Sequence, residues 1–287
     1  MTINGTLVFD GVDLQTLGNL TVVPGDLENA PARQFSTFTP IGRNGDIIID
    51  DQKYANVEMT YWVMIRSNFS TIYRNVRGFL LSRTGYCRLT DSWHPDEYYQ
   101  AYVVSDIEPT MTRSRDRGAF QVTFSRKPQR FLTSGEQEYT QSTDPDVSEL
   151  VNPSYFESKP IIKFTPSATG LATEGTGSAF DSFQSFCALY ATHGSTYELD
   201  TYIGFTLTPG VKLGDYVDSG EVIILDCELQ SARTNLGTNL NDIIQFRDAA
   251  YERVDVFPSF VAKKRNGIVD LWNMTSAISA VPRWWTV

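Results

Sequence analysis

The sequence lacks most of what a catalytic or metal-binding site needs. Only two histidines occur among the 287 residues, His94 and His193, and neither has a second metal-ligating residue at helical or hairpin spacing. The G-x-S-x-G pattern of serine hydrolases and the glycine-rich patterns that bind phosphate groups are absent. The sequence does not decide whether a pair of carboxylates is placed for glycoside cleavage, because the distance between two carboxylates depends on the fold. We therefore predict no enzyme, with no catalytic residue, no cofactor and no metal.

Further absences concern the compartment. The three cysteines, Cys87, Cys187 and Cys227, lie far apart without C-x-x-C spacing, which argues against a disulfide framework and favours a reducing compartment. The first residues show no basic region followed by an apolar run, so no signal peptide is predicted. No run of roughly 18 apolar residues occurs, which predicts no membrane insertion. We expect synthesis in a cytoplasm.

Positive charge is also scarce, and it is unevenly placed. The net charge is −10, from 24 basic and 34 acidic residues, whereas nucleic-acid binders concentrate Lys and Arg. Between Arg66 and Arg130 there are eleven basic and six acidic residues, but between Ser134 and Glu228 there are three basic and fifteen acidic residues. We predict no sequence-specific binding of nucleic acid and different surfaces for the two halves.

What the sequence does have is β-strand character. Aromatic residues, mostly Tyr and Phe, make up 13% of the chain. Period-two alternation begins with Leu7 and Phe9 and returns in "YCRLTD", "YYQAYVVSDIEP" and "GAFQVTFSRKP". The second half has short strands separated by turn residues, the pattern of a β-sandwich. The predicted fold is mainly β: an α+β N-terminal domain with one helix and an antiparallel sheet, and a C-terminal β-sandwich.

One helix is predicted in "SNFSTIYRNVRGFLLSRTG", with Ser67 as its cap and a stop at Thr84–Gly85. Its apolar residues recur at helical spacing. They are Phe69, Ile72, Val76, Phe79 and Leu80.

The polar and acidic segment 134–152 is predicted as a linker between domains at 1–133 and 153–287. From Pro24 to Gly45 the strand pattern gives way to Pro, Gly, Asn, Ser and Thr, which predicts a long loop at about 24–46. A loop of this length is usually functional. Two segments of the second half, "SAFDSFQSFCALYATHG" and "NLNDIIQFRDAAY", are predicted as short helices or loops.

Three further features stand out, and two of them allow two interpretations. "SWHPDEYY" fits a turn with His94 on the surface. "TRSRDRG" is either a solvated hairpin tip or an interface that contacts carboxylates of a neighbouring chain. Alternation along "PRWW" places one tryptophan in the core and turns the other toward another domain, a partner or a sugar. The arginines of "TRSRDRG" are Arg113, Arg115 and Arg117, and the tryptophans of "PRWW" are Trp284 and Trp285.

Nine segments occur in an order that can be compared with known families. They are "FDGVDL", "PIGRNGDIIID", "LLSRTGYCRLTDSWHPDEYYQAYVVSDIEP", "FQVTFSRKPQRFLTSGE", "NPSYFESKPIIKF", "ILDCELQSA", "FPSF", "KRNGI" and "VPRWW". Together they resemble the distal tail proteins of bacteriophages that have long, non-contractile tails and infect Gram-positive hosts. The middle of the second half does not match the family.

The resemblance implies an architectural component of the virion, located at the tail tip and assembled in the host cytoplasm. The N-terminal domain would form a homohexameric ring that joins the tail tube protein to the tail-tip protein and lets DNA pass. The C-terminal domain would be a galectin-like β-sandwich, with a receptor-binding protein or a host glycan as further partners. The alternatives are a glycan-binding host-recognition module and, third, a glycoside hydrolase.

In this family the long loop acts as a belt that reaches the adjacent subunit. The resemblance therefore assigns Phe35 and Phe38 as apolar anchors, and Arg43 and Asn44 as polar contacts, in an interface between subunits. Arg113, Arg115 and Arg117 are predicted at another part of that interface. A loop that serves a neighbour should not contribute to the core of its own domain, and we expect this of residues 27–46.

Overall fold

The computed structural model of the chain describes residues 5–104, 106–112, 116–140, 150–172, 187–192, 199–248, 253–254, 257–270 and 275–287. These form two compact units, residues 1–133 and 134–286. Both units consist mainly of strands, which confirms the predicted fold class. No helix in the described ranges is long and apolar enough to cross a membrane.

The first unit is built on one antiparallel sheet and one helix, α1 (Phe69–Leu81). A short 3-10 helix (Leu14–Leu17) follows its second strand. The strands of this unit are β1 (Leu7–Phe9), β2 (Val12–Asp13), β3 (Leu20–Pro24), β4 (Arg33–Phe38), β5 (Ile47–Tyr54), β6 (Val57–Ile65), β7 (Cys87–Asp91), β8 (Glu97–Val103), β9 (Pro109–Met111), β10 (Gly118–Arg126) and β11 (Arg130–Leu132).

The main sheet has the strand order β2-β1-β7-β8-β10-β6-β3, with β9 added to β10 and β11 to β8. The longest pairing runs from Gly118 opposite Ile65 to Arg126 opposite Val57. Alternate residues of β6 are buried, so one face of the sheet covers the core and the other face is open. The predicted antiparallel sheet is therefore present.

Helix α1 closes the core by burying Phe69, Ile72, Val76 and Leu80, as their spacing predicts. The prediction that Ser67 caps the helix is wrong. The capping residue is Asn68, whose backbone is left-handed (φ 50°) and whose side chain makes no capping hydrogen bond. A distant residue supplies the acceptors, because Asp116 accepts from Asn68 N through Oδ1 (3.0 Å) and from Phe69 N through its carbonyl (3.1 Å).

The second unit contains two sheets, a short helix α2 (Ala168–Ala172) and 3-10 helices at Thr133–Glu136 and Leu213–Asp215. The sheets have the orders β12-β22-β14-β17-β18 and β13-β21-β15-β16-β19-β20. The strands of this unit are β12 (Tyr139–Thr140), β13 (Leu150–Val151), β14 (Ile161–Pro166), β15 (Cys187–Thr192), β16 (Leu199–Leu207), β17 (Ile223–Asp226), β18 (Ser231–Thr234), β19 (Ile244–Asp248), β20 (Arg253–Val254), β21 (Arg265–Asp270), β22 (Thr275–Val281) and β23 (Trp285–Thr286).

Both sheets of the second unit contribute to a single core. Phe164 and Leu225 of the first sheet belong to the same buried cluster as Leu207 and Phe246 of the second. This is the packing of a β-sandwich, as the short strands predict. The likeness to galectins stays a prediction.

Two details of the second unit differ from the sequence-based predictions. The segments predicted as short helices or loops contain strands, β15 and β19. In β19, Ile244 and Phe246 are buried two residues apart, but the adjacent Ile243 hides this alternation in the sequence. The segment 134–152, predicted as a linker, contributes β12 and β13 to the two sheets. Strands of two residues are too short to show a period.

Cys87 and Cys227 form no disulfide, and burial raises the pKa of the Cys227 thiol to about 12. A buried thiol of this kind is unreactive at neutral pH. Beside it, Asp226 accepts two hydrogen bonds from the Arg283 guanidinium, at 2.7 and 2.9 Å, and further hydrogen bonds from Glu228 N and Leu229 N. Burial raises the pKa of Asp226, but these hydrogen bonds outweigh burial and leave the pKa below its usual value.

We expect Asp226→Asn to lower the free energy of unfolding at neutral pH by about 1.5–3 kcal/mol, because a charge-assisted pair is lost. A lowered pKa in the folded state contributes stability above the unfolded value of about 3.9, and this contribution is lost as the pH falls through the folded value. The difference between wild type and variant in urea unfolding should therefore shrink below about pH 4. An unchanged difference at pH 3 would show that the carboxylate charge contributes nothing.

Candidate functional site

A two-stranded arm projects from the main sheet of the first unit. We define the arm as β4, β5 and their connection, residues 33–54. Strands β3 and β6 are antiparallel neighbours, and the chain between Pro24 and Val57 runs outward and returns as the arm. The loop predicted at about 24–46 is therefore not without structure, because β4 lies inside it. The Pro, Gly, Asn, Ser and Thr of this segment gave no strand pattern, and every residue of β4 is exposed.

Both faces of the arm carry apolar side chains. Paired residues point to the same side of a sheet. Phe38 therefore lies on one face with Ile47, and Phe35 lies on the other face with Ile48. The exposed fractions are 56% for Phe35, 60% for Phe38 and 66% for Ile48.

An arm with this surface is incomplete by itself. All residues of β4 and β5 are exposed except Tyr54, which is half-buried. An isolated two-stranded hairpin is at best marginally stable in water, and a contiguous apolar patch of this kind marks a contact surface. Fully burying such a side chain is worth roughly 1.5–3 kcal/mol. The arm therefore requires cover from another surface.

The tip of the arm explains the arginine and asparagine between two glycines. Gly42 and Gly45 have left-handed backbones, with φ of 79° and 88°, which place Arg43 and Asn44 at the exposed end. The Thr39 hydroxyl donates to Asp46 Oδ1 at 2.6 Å and closes the turn. The turn is held by its own polar groups, while the strands that lead to it are apolar.

The arm leaves the sheet through a segment that is firmly attached. We call residues 24–29 the root. Gly25 N donates to Thr60 O at 2.8 Å, and Thr60 N donates to Asp26 O at 3.3 Å, so the root continues the pairing of the sheet. Leu27 is buried in the core of the first unit. The expectation that residues 27–46 contribute nothing to their own core is therefore wrong at Leu27.

A buried guanidinium holds the end of the root. Arg126 is only 1% exposed, and its Nη2 donates to the Asn29 carbonyl at 3.2 Å. Its Nη1 donates to the carbonyls of Lys127 and Pro128, at 3.1 and 3.0 Å. Burial lowers the pKa of Arg126, and the guanidinium lies 5.3 Å from the ring centre of Tyr99. The buried guanidinium of Arg126 thus fixes the end of the root by donating hydrogen bonds to backbone carbonyls.

A second polar contact holds the root at Glu28. His94 Nε2 lies 2.7 Å from Glu28 Oε1, and His94 Nδ1 lies 3.2 Å from Oδ1 of the buried Asp91. The Arg130 guanidinium lies 3.3 Å from the other oxygen of Glu28. The hydrogen bond from His94, together with Arg130, holds the pKa of Glu28 below its usual range. Asp91 also accepts from the buried Tyr61 hydroxyl at 2.7 Å.

The prediction that His94 lies on the surface is wrong, because its side chain is only 13% exposed. The turn itself is present between β7 and β8. The signal for burial was the carboxylate three residues earlier, since Asp91 Oδ1 accepts from the backbone N of both Trp93 and His94 at 2.9 Å. Such a local acceptor fixes a turn in one conformation.

This contact lies in a cleft of about 340 Å³ beside the root. His94 is placed between two carboxylates and contacts no nucleophile among the described side chains. Ser92 lies in the cleft, but its hydroxyl accepts from Thr6 N at 3.0 Å. No group of three or more metal-ligating side chains occurs in the described part of the chain. The cleft lining consists of Pro24, Gly25, Leu27, Glu28, Ser92, Trp93 and His94.

The remaining predicted site residues are not part of the arm. Arg117 is exposed just before β10, whereas Arg113 and Arg115 lie outside the described residues, as does His193. Trp284 is buried against Tyr139, at 6.1 Å between ring centres. Trp285 is half-buried, stacks on Phe156 at 4.5 Å and donates to the Glu157 carbonyl. The interface and glycan roles of these residues stay predictions.

Comparison with solved structures identifies the fold of the chain. No family model and no curated protein matches the sequence. Among solved structures the chain is similar to SPP1 Dit (gp 19.1), described as a paradigm of the hub adsorption apparatus in Gram-positive infecting phages. The TM-score is 0.59 and the identity 12%, over 96% of this chain and 97% of that chain. A chain of the phage p2 baseplate, in its activated conformation with Sr, matches at a TM-score of 0.43 and 9% identity over 96% of both chains, too weakly for an argument.

The similarity to SPP1 Dit extends over nearly the whole chain, so it includes both units. At 12% identity it establishes the fold and leaves the role of each residue to the geometry. The fold implied by the quoted sequence segments, that of a phage distal tail protein, is confirmed.

We expect Arg126→Met to lower the free energy of unfolding by about 1–3 kcal/mol, because buried carbonyl groups, including that of Asn29, lose their donor. Amide hydrogen exchange in residues 25–32 should become faster. The control is Arg117→Met, an exposed arginine of the same unit, which should stay within about 0.5 kcal/mol of wild type. Equal effects of the two substitutions in urea unfolding would contradict the anchoring role of Arg126.

Proposed function

We propose that this protein is a structural hub of a phage tail tip. In this role the first unit forms a homohexameric ring that joins the tail tube protein to the tail-tip protein, and the protein resides in the virion. The observation that carries the proposal is the arm, which is apolar on both faces, exposed, and attached to its unit through a fixed root. The near-full-length similarity to a protein described as a hub supports it.

The arm suits a ring better than a two-fold dimer. A ring requires two different patches per subunit, one that reaches out and one that receives. The arm reaches out, and its root prevents it from folding back through a flexible hinge, because Glu28 and Asn29 are both bound to side chains of the first unit. Each copy would therefore give its arm to the next, and Phe35 and Phe38 would be buried between subunits.

The charge distribution is compatible with DNA passing through such a ring. Residues 1–133 contain 14 basic and 14 acidic residues, so the ring-forming unit is formally neutral. Proteins that bind nucleic acid carry an excess of Lys and Arg, and this unit as a whole carries none. A neutral ring would let DNA pass without holding it, and an architectural role needs no catalytic residue.

Glycan recognition by the second unit is a weaker candidate. Stacking on a sugar needs an exposed aromatic face. Trp284 is buried, and Trp285 is half-buried with one face stacked on Phe156, so neither of these two tryptophans is an open platform for a sugar. A receptor-binding protein is the partner that this unit fits better.

The arm can be removed at a position that the structure defines. Ala55 N donates to the Ala32 carbonyl at 2.8 Å, so the two ends of the arm are adjacent. We expect a variant in which residues 33–54 are replaced by a two-glycine turn to remain folded, because Leu27, Glu28 and Asn29 are retained. Light scattering and electron micrographs should show rings for the wild type and monomers for this variant. Rings formed without the arm would refute its role.

A finer test replaces apolar arm residues. Phe38→Ser combined with Ile49→Ser should abolish rings and leave the melting temperature of the monomer nearly unchanged, because both side chains are already exposed in the single chain. The matched control is Lys53→Gln, an exposed polar residue of the same arm, which should form rings. A wild type that stays monomeric even when produced with its neighbouring tail proteins would refute the ring itself.

A further inference from the structure

Two loops of the second unit are each braced by a buried asparagine. Asn152 donates through Nδ2 to the Phe156 carbonyl at 3.0 Å and accepts from Ser154 N at 2.9 Å. Asn266 accepts from Val261 N at 2.7 Å and donates through Nδ2 to the Val261 carbonyl at 3.0 Å. Both asparagines are at most 1% exposed. Burying an amide costs free energy unless its polar atoms are hydrogen-bonded. Here the hydrogen bonds to the backbone offset that cost and fix the two loops.

The two loops are also joined to each other. Lys263 N donates to Ser154 O at 3.1 Å, and Asn152 N donates to Lys264 O at 3.2 Å. Lys263 has a left-handed backbone, with φ of 54°. Its ammonium group donates to the Pro153 carbonyl and lies 4.2 Å from the ring centre of Tyr155. The cation and the ring are therefore held together.

Exposed residues lie next to this pair. Val151, Pro153 and Tyr155 are exposed, and the Lys263 ammonium group contacts both the Pro153 carbonyl and the Tyr155 ring, so Pro153, Tyr155 and Lys263 lie together. Val151 pairs with Arg265 across β13 and β21, so these two exposed residues point to the same side of that sheet, beside Pro153. Tyr155 is 81% exposed. We call these exposed residues the Tyr155 patch: Val151, Pro153, Tyr155, Lys263 and Arg265.

The patch is basic within an acidic unit. Residues 134–287 contain 10 basic and 20 acidic residues, yet three of the ten basic residues are consecutive at 263–265. The nearby Glu157 is acidic and exposed, and it accepts from the Ser259 hydroxyl at 3.1 Å. A local positive charge of this kind favours an acidic partner that the rest of the unit repels.

The composition of the patch fits a protein rather than a sugar. Recognition of sugar hydroxyls commonly uses amide and carboxylate groups around the aromatic ring. Here the amides of Asn152 and Asn266 are buried and bound to backbone, and the Glu157 carboxylate already accepts from the Ser259 hydroxyl. Tyr and Arg are the residues enriched where binding energy is concentrated in protein interfaces. A fixed aromatic ring also loses little conformational entropy when a partner binds.

We propose that the Tyr155 patch binds an acidic segment of another protein, with Tyr155 as the apolar anchor and Lys263 and Arg265 as partners of its carboxylates. The site is separate from the arm and does not depend on the ring. A segment that combines carboxylates with apolar or aromatic side chains fits all five residues of the patch. The rest of the second unit, which is acidic, repels such a segment, so within this unit binding would be confined to the patch.

The test uses the full-length protein and a fluorescent random copolymer of glutamate and tyrosine, with fluorescence anisotropy as the readout. We expect binding at low salt that weakens as salt is added. Tyr155→Ala should weaken it by about tenfold, and so should Lys263→Asn combined with Arg265→Gln. Asn is chosen at Lys263 because it tolerates the left-handed backbone. Tyr155→Ala alone carries the test if the double variant does not fold.

The matched controls are Tyr216→Ala and Lys212→Gln, an exposed tyrosine and an exposed lysine of the same unit. Both should bind the copolymer like the wild type. The proposal is overturned if the wild type does not bind or if the controls weaken binding as much as the patch variants. Binding of polygalacturonate in place of the copolymer would overturn it in favour of an acidic glycan. The mass of the protein by light scattering should be the same for all variants, so this result is independent of ring formation.

Discussion

The hydrogen bond from Arg126 to the Asn29 carbonyl fixes the place where the arm leaves the first unit. A hairpin with both faces exposed cannot set its own direction, since it has no core to pack against. The direction must come from the root, and a guanidinium suits this task because its planar fork of donors reaches several carbonyls at once. A carboxylate partner would neutralise the charge, but it would occupy N–H donors of the guanidinium and leave fewer of them for these carbonyls. The arm is thus rigid at its root although its surface lacks a partner in the single chain.

Apolar side chains on both faces of the arm restrict how it can be used. A flat neighbouring surface would cover only one of the faces that carry Phe35 and Phe38. Full burial requires either a groove or two surfaces, one on each side. Both arrangements suit a closed assembly, in which an arm lies between bodies that are already in contact. Left uncovered, the same surface would favour aggregation, and the charged residues Arg33 and Asp50 near its base limit that tendency.

Much of the fold could be predicted because burial leaves a period in the sequence. Phe69, Ile72, Val76 and Leu80 predicted the helix, and the alternation in β10 predicted its strand. Strand β4 could not be predicted in this way, because a strand exposed on both faces has no alternation. The contacts of the root were equally hidden, since Asn29 and Arg126 lie 97 residues apart. The apolar anchors of the arm, in contrast, came from the resemblance, and their role is still a proposal.

The two proposed contact surfaces differ in physical character, and this difference suits a hub. The arm offers aliphatic and aromatic side chains, the composition of permanent interfaces between subunits. The Tyr155 patch offers one aromatic ring among cations, and contacts of that kind are smaller and respond to salt. A ring has to form once and persist, whereas the attachment of a further protein has to be specific for one partner. An apolar arm on a neutral unit and a basic patch on an acidic unit separate these tasks, because the partner attracted by the patch gains nothing from the arm.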